Sequence, residues 1–297
     1  MPVVTKKGIC IVNSTHLYGG ISNLYQRMKE ELSELGVSLE LRSANEAKIR
    51  IEENGAVSTA LGEADFVLYL DKDKYASYAL ERAGYRLFNS SRSIALCDDK
   101  MLTYIALSNQ GIKMPKTISP SLDYKGNPMD EKSLAAIATE LGYPLVAKTN
   151  YGSLGNGVYL IKNYAELQDF ECKFHAIPRL YQEFISSSCG VDYRVIVIGG
   201  RFCVGMKRVN EDDFRSNVAR GGKGKRVEIP KPFIDMAEKA AKLLKLDYCG
   251  VDLLIGEQGE PVLCEVNSNA FIKGIEEVTG YNVAKDYSAH IAKTLGL

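Results

Sequence analysis

The stretch Tyr248–Ala270, YCGVDLLIGEQGEPVLCEVNSNA, constrains the fold more than any other part of the chain. Two apolar runs, Cys249–Ile255 and Pro261–Val266, flank Glu257-Gln258-Gly259-Glu260. Apolar runs around a glycine-containing turn predict a β-hairpin, and Gly259 can take the positive φ such a turn needs. If Gln258-Gly259 is a two-residue loop, opposed residues have numbers summing to 517. Leu254 then faces Leu263, and Asp252 faces Glu265. Asn267, two residues past Glu265, points to the same face. Two carboxylates and an amide oxygen would share that face. Opposed like charges repel on a sheet. A cation turns that cost into binding, and Mg²⁺ takes one or two carboxylates together with substrate phosphates. A surface hairpin with scattered acids is the plain alternative, and this stretch alone leaves both open.

At 297 residues the chain can bury a large core and can hold two or three domains. Lys+Arg and Asp+Glu are both 37, which argues against nucleic-acid binding by bulk charge but not against a local basic pocket. Seven cysteines occur with no C-x-x-C pair, so no zinc or redox signature is present. Cys10, Cys203, Cys249 and Cys264 lie in apolar runs and read as small core residues. An odd cysteine count and an N-terminus without an apolar targeting segment predict a cytoplasmic location. No run approaches the ~20 apolar residues of a membrane span, so no membrane partner is expected. The histidines, His16, His175 and His290, sit in no nucleophile motif, and a serine or cysteine hydrolase is unsupported.

From the N-terminus, Gly8–Asn13 reads as a buried strand. Ile21, Leu24, Tyr25, Met28, Leu32 and Leu35 recur at helical spacing, and Gly36 closes that helix. Strands follow at Val37–Arg42 and Asp65–Leu70, a helix at Ala76–Ala83 and a short strand at Arg86–Phe88. This alternation predicts an α/β domain with a parallel sheet. Gly19-Gly20 follows the first strand without G-x-G-x-x-G, so a dinucleotide fold is a poor fit. Asp98-Asp99-Lys100 opens a helix to about Asn109, and a linker follows.

Pro144–Asn150 is an apolar strand carrying Lys148. It runs into the glycine-rich loop Tyr151-Gly152-Ser153-Leu154-Gly155-Asn156-Gly157 and the strand Val158–Ile161. Such a loop is either a flexible hairpin or a phosphate cover. A lysine inside the preceding strand favours the second, because buried lysine needs a partner. Leu180–Ile185 is a strand with Glu183 facing solvent or a ligand. Asp192–Ile198 and Arg201–Arg208 predict a hairpin over Gly199-Gly200 that brings Arg194, Lys207 and Arg208 to one sheet. Glu211–Lys225, polar and glycine-rich, reads as a mobile loop. Pro232–Leu246 and Asn282–Leu295 read as helices.

The order of these pieces resembles the ATP-grasp superfamily from about Asp99 to Thr294. Three stretches are similar to the RimK-like α-L-glutamate ligases: DFRSNVARGG at Asp213–Gly222, CGVD at Cys249–Asp252, and EVNSNAFIKGIEEVTGYNVA at Glu265–Ala284. The resemblance implies an ATP-grasp fold of mixed α/β and α+β class. Its parts would be an N-terminal α/β domain over 1–97, a linker helix and lid over 98–185, and a metal- and substrate-binding part over 186–297. ATP would lie between two antiparallel sheets. A carboxylate would take the γ-phosphoryl group, and an amine would attack the acyl phosphate to give an amide.

The same resemblance distributes the roles. Asp252, Glu265 and Asn267 would hold Mg²⁺ or Mn²⁺, two ions in all. Lys100 and Lys148 would neutralise phosphates under the loop of Gly155 and Gly157. Glu183 and Phe184 would lie at the adenine–ribose side and Asp192 at the ribose. Arg194, Arg208, Arg215 and Asn217 would face the transferring phosphoryl group and the substrate carboxylates, beside Ser216. The partners implied are ATP, an amino acid or peptide with a free carboxylate, and an amine donor; whether the chain forms a homo-oligomer is left open. Ser268–Lys273 departs from the small residues and proline-glycine that often follow the Glu-x-Asn motif, which leaves glutamate as the added substrate open. A kinase of the same fold and a non-catalytic nucleotide-binding module are the alternatives.

Overall fold

The computed structural model describes residues 5–13 and 20–297, without the side chains of residues 20–22. His16 and Gly19 lie outside the described residues. The N-terminal region contains β1 (Lys6–Val12), α1 (Gly20–Glu34), β2 (Val37–Ser43), a small hairpin of β3 (Arg50–Ile51) and β4 (Val57–Ser58), β5 (Phe66–Leu70), α2 (Lys74–Arg82) and β6 (Leu87–Phe88). β1, β2, β5 and β6 form a parallel sheet in the order β2-β1-β5-β6. The apolar runs of the central strands β1 and β5 suit a sheet covered on both faces, whereas β2, at the edge, alternates.

The helix expected to open at Asp98-Asp99-Lys100 is α4 (Lys100–Leu107), and a helix not expected from the sequence, α3 (Ser91–Asp98), runs straight into it. Asp99 breaks them apart. Its backbone is extended, and its carboxylate accepts from the N–H groups of Met101 and Leu102, so it caps α4 rather than continuing α3. α3 also crosses the boundary expected after residue 97.

Next come β7 (Thr117–Ile118), α5 (Glu131–Leu141), β8 (Leu145–Thr149), β9 (Val158–Ile161), α6 (Tyr164–Phe174) and β10 (Arg179–Glu183). The strands make an antiparallel sheet ordered β7-β10-β8-β9. Leu134 and Ile137 of α5 and Leu167 and Phe170 of α6 pack on Leu145, Ala147 and Tyr181.

The last region holds β11 (Val191–Ile198), β12 (Arg201–Val209), β13 (Lys223–Lys225), α7 (Lys231–Leu243), β14 (Tyr248–Ile255), β15 (Pro261–Asn267), α8 (Lys273–Thr279) and α9 (Val283–Thr294). Its sheet is ordered β13-β12-β11-β14-β15. Residues 223–225, expected within a loop, pair with β12 as an edge strand. α7 covers one face through Phe233, Ala237, Ala240 and Ala241. On the other, Ile196, Met206 and Tyr248 share a core with Phe66, Leu68 and Met28 of the N-terminal region. No helix among the described residues is long and apolar enough to cross a membrane.

The β14–β15 register differs from the expectation in an instructive way. The loop has three residues, not two: Gly256 donates to Glu260 O at 2.7 Å, Gly259 donates to Gly256 O at 2.9 Å, and Gly259 has φ 81°. Leu254 therefore pairs with Val262, not Leu263. A bulge then skips Cys264, and Asp252 pairs with Glu265 as expected. Two deviations cancel, and the acidic pair survives them.

Candidate active site

The antiparallel sheets face each other across a cleft of about 850 Å³ that includes its open mouth. Asp252, Glu265 and Asn267 share one face of β14–β15, with Asn267 opposite Gly250. Cys264 and Glu265 both line the cleft. Adjacent residues of a regular strand point to opposite faces, so it is the bulge that turns both inward. Tyr104 of α4 donates its hydroxyl to Cys264 O at 2.5 Å and holds the bulge from behind.

Asp252 is buried and fully engaged. Arg194 Nε and Nη2 donate to its two oxygens at 2.6 and 2.5 Å, and Arg208 Nη2 lies 2.9 Å from Oδ2. Burial pushes the Asp252 carboxyl up, but the two guanidiniums outweigh it and hold the group below the usual carboxylate range. Arg208 also grips Asp192, with Nε 2.8 Å from Oδ1 and Nη2 on Oδ2. Asp192 was expected at a ribose; here both its oxygens serve Arg208. These four residues lie on one sheet face, because Asp192 opposes Arg208 and Arg194 opposes Asp252. Lys207, expected beside them, lies on the opposite face, with its ammonium 6.0 Å from the Tyr193 ring.

Lys148 lies on the interior strand β8, aimed into the cleft. Burial favours its neutral amine, but the Tyr104 hydroxyl, the Cys264 thiol and the Glu265 carboxylate favour the ammonium and prevail. Lys100 Nζ donates to Asn150 O and Gly152 O at 3.3 and 3.2 Å, clamping the start of the glycine loop to α4. Burial holds its pKa below the ordinary value, opposed by Glu265.

The glycine loop is tied to the arginine-containing segment. Arg215 Nη1 donates to Gly155 O and Val158 O at 3.0 Å each, and Arg220 Nη2 donates to Asn156 Oδ1 at 2.6 Å. A Cβ on Gly155 would stand 2.9 Å from Asn217 Oδ1, so only glycine permits this approach. Arg215, Ser216 and Asn217 line the cleft; Gly157 stands at its outer side, in a neighbouring groove. At the far end Glu183 accepts from Lys116 N at 2.8 Å, and the Phe184 and Phe214 rings meet edge-on. Val146, Ile185 and Leu254 make that end apolar.

The cleft thus brings together every expected site residue except Gly157, Arg194 and Asn267, which border it. Tyr104 and Gln182 also line or support it and carried no motif; Phe214, inside the DFRSNVARGG stretch, lines it too but was given no role. An aromatic at helical spacing and a glutamine in a strand read as ordinary packing from the sequence.

The donor set can be tested against a metal. Among the described residues, no group of three or more His, Cys, Asp or Glu is arranged to hold an ion. Two carboxylates and an amide are too few for an all-protein cage. They fit Mg²⁺, which completes its shell with water and phosphate oxygens. Asp252 would have to exchange a guanidinium for the ion.

A family model for the RimK-like ATP-grasp domain matches residues 97–291. Human N-acetylaspartylglutamate synthase A is 33% identical over 216 residues, covering 72% of this chain and 54% of that protein. A probable alpha-L-glutamate ligase of Psychromonas ingrahamii is 39% identical over 202 residues, covering 66% of this chain and 64% of that protein. The match thus spans about half to two thirds of the length of these relatives. In fold, the chain is similar to D-alanine–D-alanine ligase from Bacillus anthracis complexed with ATP, with TM-score 0.72, 19% identity, and 98% and 99% of the two chains covered. It is also similar to the ATP-grasp ligase PsnB complexed with a phosphomimetic variant of its minimal precursor, Mg and ADP, with TM-score 0.69, 18% identity, and 99% and 100% covered. With the model match spanning most of the chain and both sheets of the cleft, this chain belongs to the RimK-like ATP-grasp family.

Proposed function

We propose that this protein is an ATP-dependent carboxylate–amine ligase working through an acyl phosphate. The observation that carries the reading is a single cleft with two buried lysines, a glycine loop, paired arginines and a two-carboxylate face. ATP enters with its base at the apolar end beside Phe184, Ile185 and Leu254. Glu183 lies at that end too. Lys148 and Lys100 meet the phosphates, and the loop of Gly155 and Gly157 covers them. Asp252, Glu265 and Asn267 hold Mg²⁺, which when bound neutralises the phosphate oxygens.

Phosphoryl transfer is mainly positioning and charge neutralisation. Arg208, held in plane by Asp192, and Arg194 present guanidinium forks to the substrate carboxylate and the transferring group. Arg215 and Asn217 close the cleft over them beside Ser216 and exclude water, which would otherwise hydrolyse the acyl phosphate. The three working parts are proposed as the parallel-sheet region to Asp98, the lid to residue 185, and the remainder.

The relatives named for glutamate ligation motivate an amino acid as one substrate and a peptide or small acid as the other. Incubating the protein with ATP, Mg²⁺ and pools of amino acids and peptides, then weighing products by mass spectrometry, tests the reading. Phosphate release with an amide product is expected. A phosphate ester product would replace the ligase with a kinase, and nucleotide binding without turnover would replace it with a binding module.

A further inference from the structure

The face of the five-stranded sheet turned away from the cleft carries a ladder of positive charge. Lys207 of β12 and Lys225 of β13 are directly opposed. Lys223 lies on the same side of β13, and Arg226 follows in the chain. Opposed like charges destabilise an antiparallel pair. No ion pair engages any of these four cations among the described residues; Lys207 has only the Tyr193 ring. Glu228 is the first acid beyond the strip.

β13 is also the edge of its sheet, and Lys223, Lys225 and Arg226 are exposed. Its outer N–H and C=O groups are therefore open to another strand. Gly224, between the two lysines, is seated tightly: a Cβ there would come within 2.7 Å of Val278 Cγ2. α8 thus closes one face of β13, and both lysines project from the other. A turn at Val218–Arg220 and two glycines separate β13 from the cleft-lining Ser216 and Asn217, and cleft-lining Arg208 pairs with Gly224.

We propose that this edge docks an extended acidic peptide, which adds to β13 as a further strand with alternate carboxylates against Lys223 and Lys225, and with Lys207 adding to the positive field behind them. Charge complementarity selects the acid. The every-other-residue spacing of Lys223 and Lys225 matches side chains on one face of an extended chain. Backbone pairing supplies affinity and the lysines supply selectivity, as in other strand-addition modes. Lys223 opposes Val209, the neighbour of cleft-lining Arg208, so a peptide docked at that end is presented towards the cleft as acceptor. That last step rests on the ligase reading; the docking does not.

The test titrates the full chain, without ATP, into a fluorescein-labelled octapeptide of alternating Glu and Thr. Anisotropy reports binding and hydrogen exchange reports the β13 amides. Saturable binding that weakens with salt is expected, with slowed exchange in β13. Lys223→Glu/Lys225→Glu, or Gln at every Glu of the peptide, should each lower affinity by about tenfold or more. ATP affinity of the double variant should match the parent, showing an intact cleft. Equal peptide binding by parent and variant, or unchanged exchange in β13, overturns the proposal. So does a dimer through this edge that the peptide fails to dissociate, or a nucleic acid of equal charge that displaces the peptide. Peptide binding alongside a failed ligase assay would remove the ligase reading and leave the docking surface standing.

Discussion

Lys148 is buried, its neighbours favour the ammonium over the amine, and a positive charge there suits an anion entering the cleft. Replacing it with alanine should weaken ATP binding by about 1–3 kcal/mol, the range for a lost charge-assisted bond, as read by calorimetry. ATP affinity equal to the parent's would remove Lys148 from the phosphate site. Glu265 is the other residue to test. Glu265→Gln keeps shape and removes one charge from the metal face, so turnover should vanish while the melting temperature stays near that of the parent. Asp252 already holds two guanidiniums, so little repulsion is left to relieve. Asn267→Ala removes a neutral donor and should cost less activity. Near-normal turnover of Glu265→Gln at limiting Mg²⁺ would end the metal assignment. Both residues stood out in the sequence because their chemistry conflicts with their surroundings: a lysine in an apolar strand, and an acid opposite an acid. The Asp192–Arg208 pairing did not, since partner choice among several acids and arginines is decided by tertiary register.

Among elements, the four-stranded antiparallel sheet, the proposed lid, has one buried ion pair beside its apolar core. Glu171 of α6 accepts from Arg179 Nε at 2.6 Å, Tyr181 Oη at 2.6 Å and Met129 N at 2.7 Å. Burial pushes its carboxyl up, but the Arg179, Tyr181 and Met129 donors prevail and hold it below 4.5. A depressed carboxyl contributes stability above its unfolded pKa, and that stability fades as pH falls through the folded value. The lid should therefore loosen first in acid, below about pH 4.5. Hydrogen exchange in α6 and β10 that tracks the rest of the chain as pH is lowered would contradict this. Glu171→Gln should flatten the acid limb. The strands and hairpins of this region were legible from apolar runs and glycine punctuation. α5 and α6 were not singled out, because they lie between the motifs and carry no chemistry. β13 was hidden because a strand of Lys-Gly-Lys has no apolar pattern; only the edge of β12 makes it a strand.

Across the whole molecule, the parallel-sheet region meets the five-stranded sheet through a shared apolar core, the ion pairs Arg27–Glu276 and Arg86–Asp247, and one amide that makes four hydrogen bonds across the join. Asn89, just past β6, donates to Tyr248 O and Ser268 O at 2.8 Å each and accepts from Asp247 N and Tyr248 N at 2.7 and 3.0 Å. It is 2% exposed, so no water can take its place without rearrangement. Asn89→Ala leaves buried backbone groups unpaired, at about 1–3 kcal/mol for each that finds no substitute. The expected outcome is a large fall in melting temperature with the cleft residues untouched. A variant that melts with the parent would show that the apolar core and the Arg27–Glu276 and Arg86–Asp247 ion pairs hold the two sheets without the amide. Nothing in the sequence marked Asn89, since its partners lie more than a hundred and fifty positions away. The overall order of sheets was legible because each is encoded locally; the stitch between them is not.

The Asp192–Arg208–Asp252–Arg194 lattice has a consequence for the history of each molecule before it meets its substrates. Two acids and two bases on one face already cancel, so a newly made chain does not need an ion to quiet that face. Under the proposed metal assignment, a guanidinium keeps the seat that the ion would claim. Folding and loading would then be separate events: these four charges pair with one another as the chain folds, before any nucleotide or ion enters.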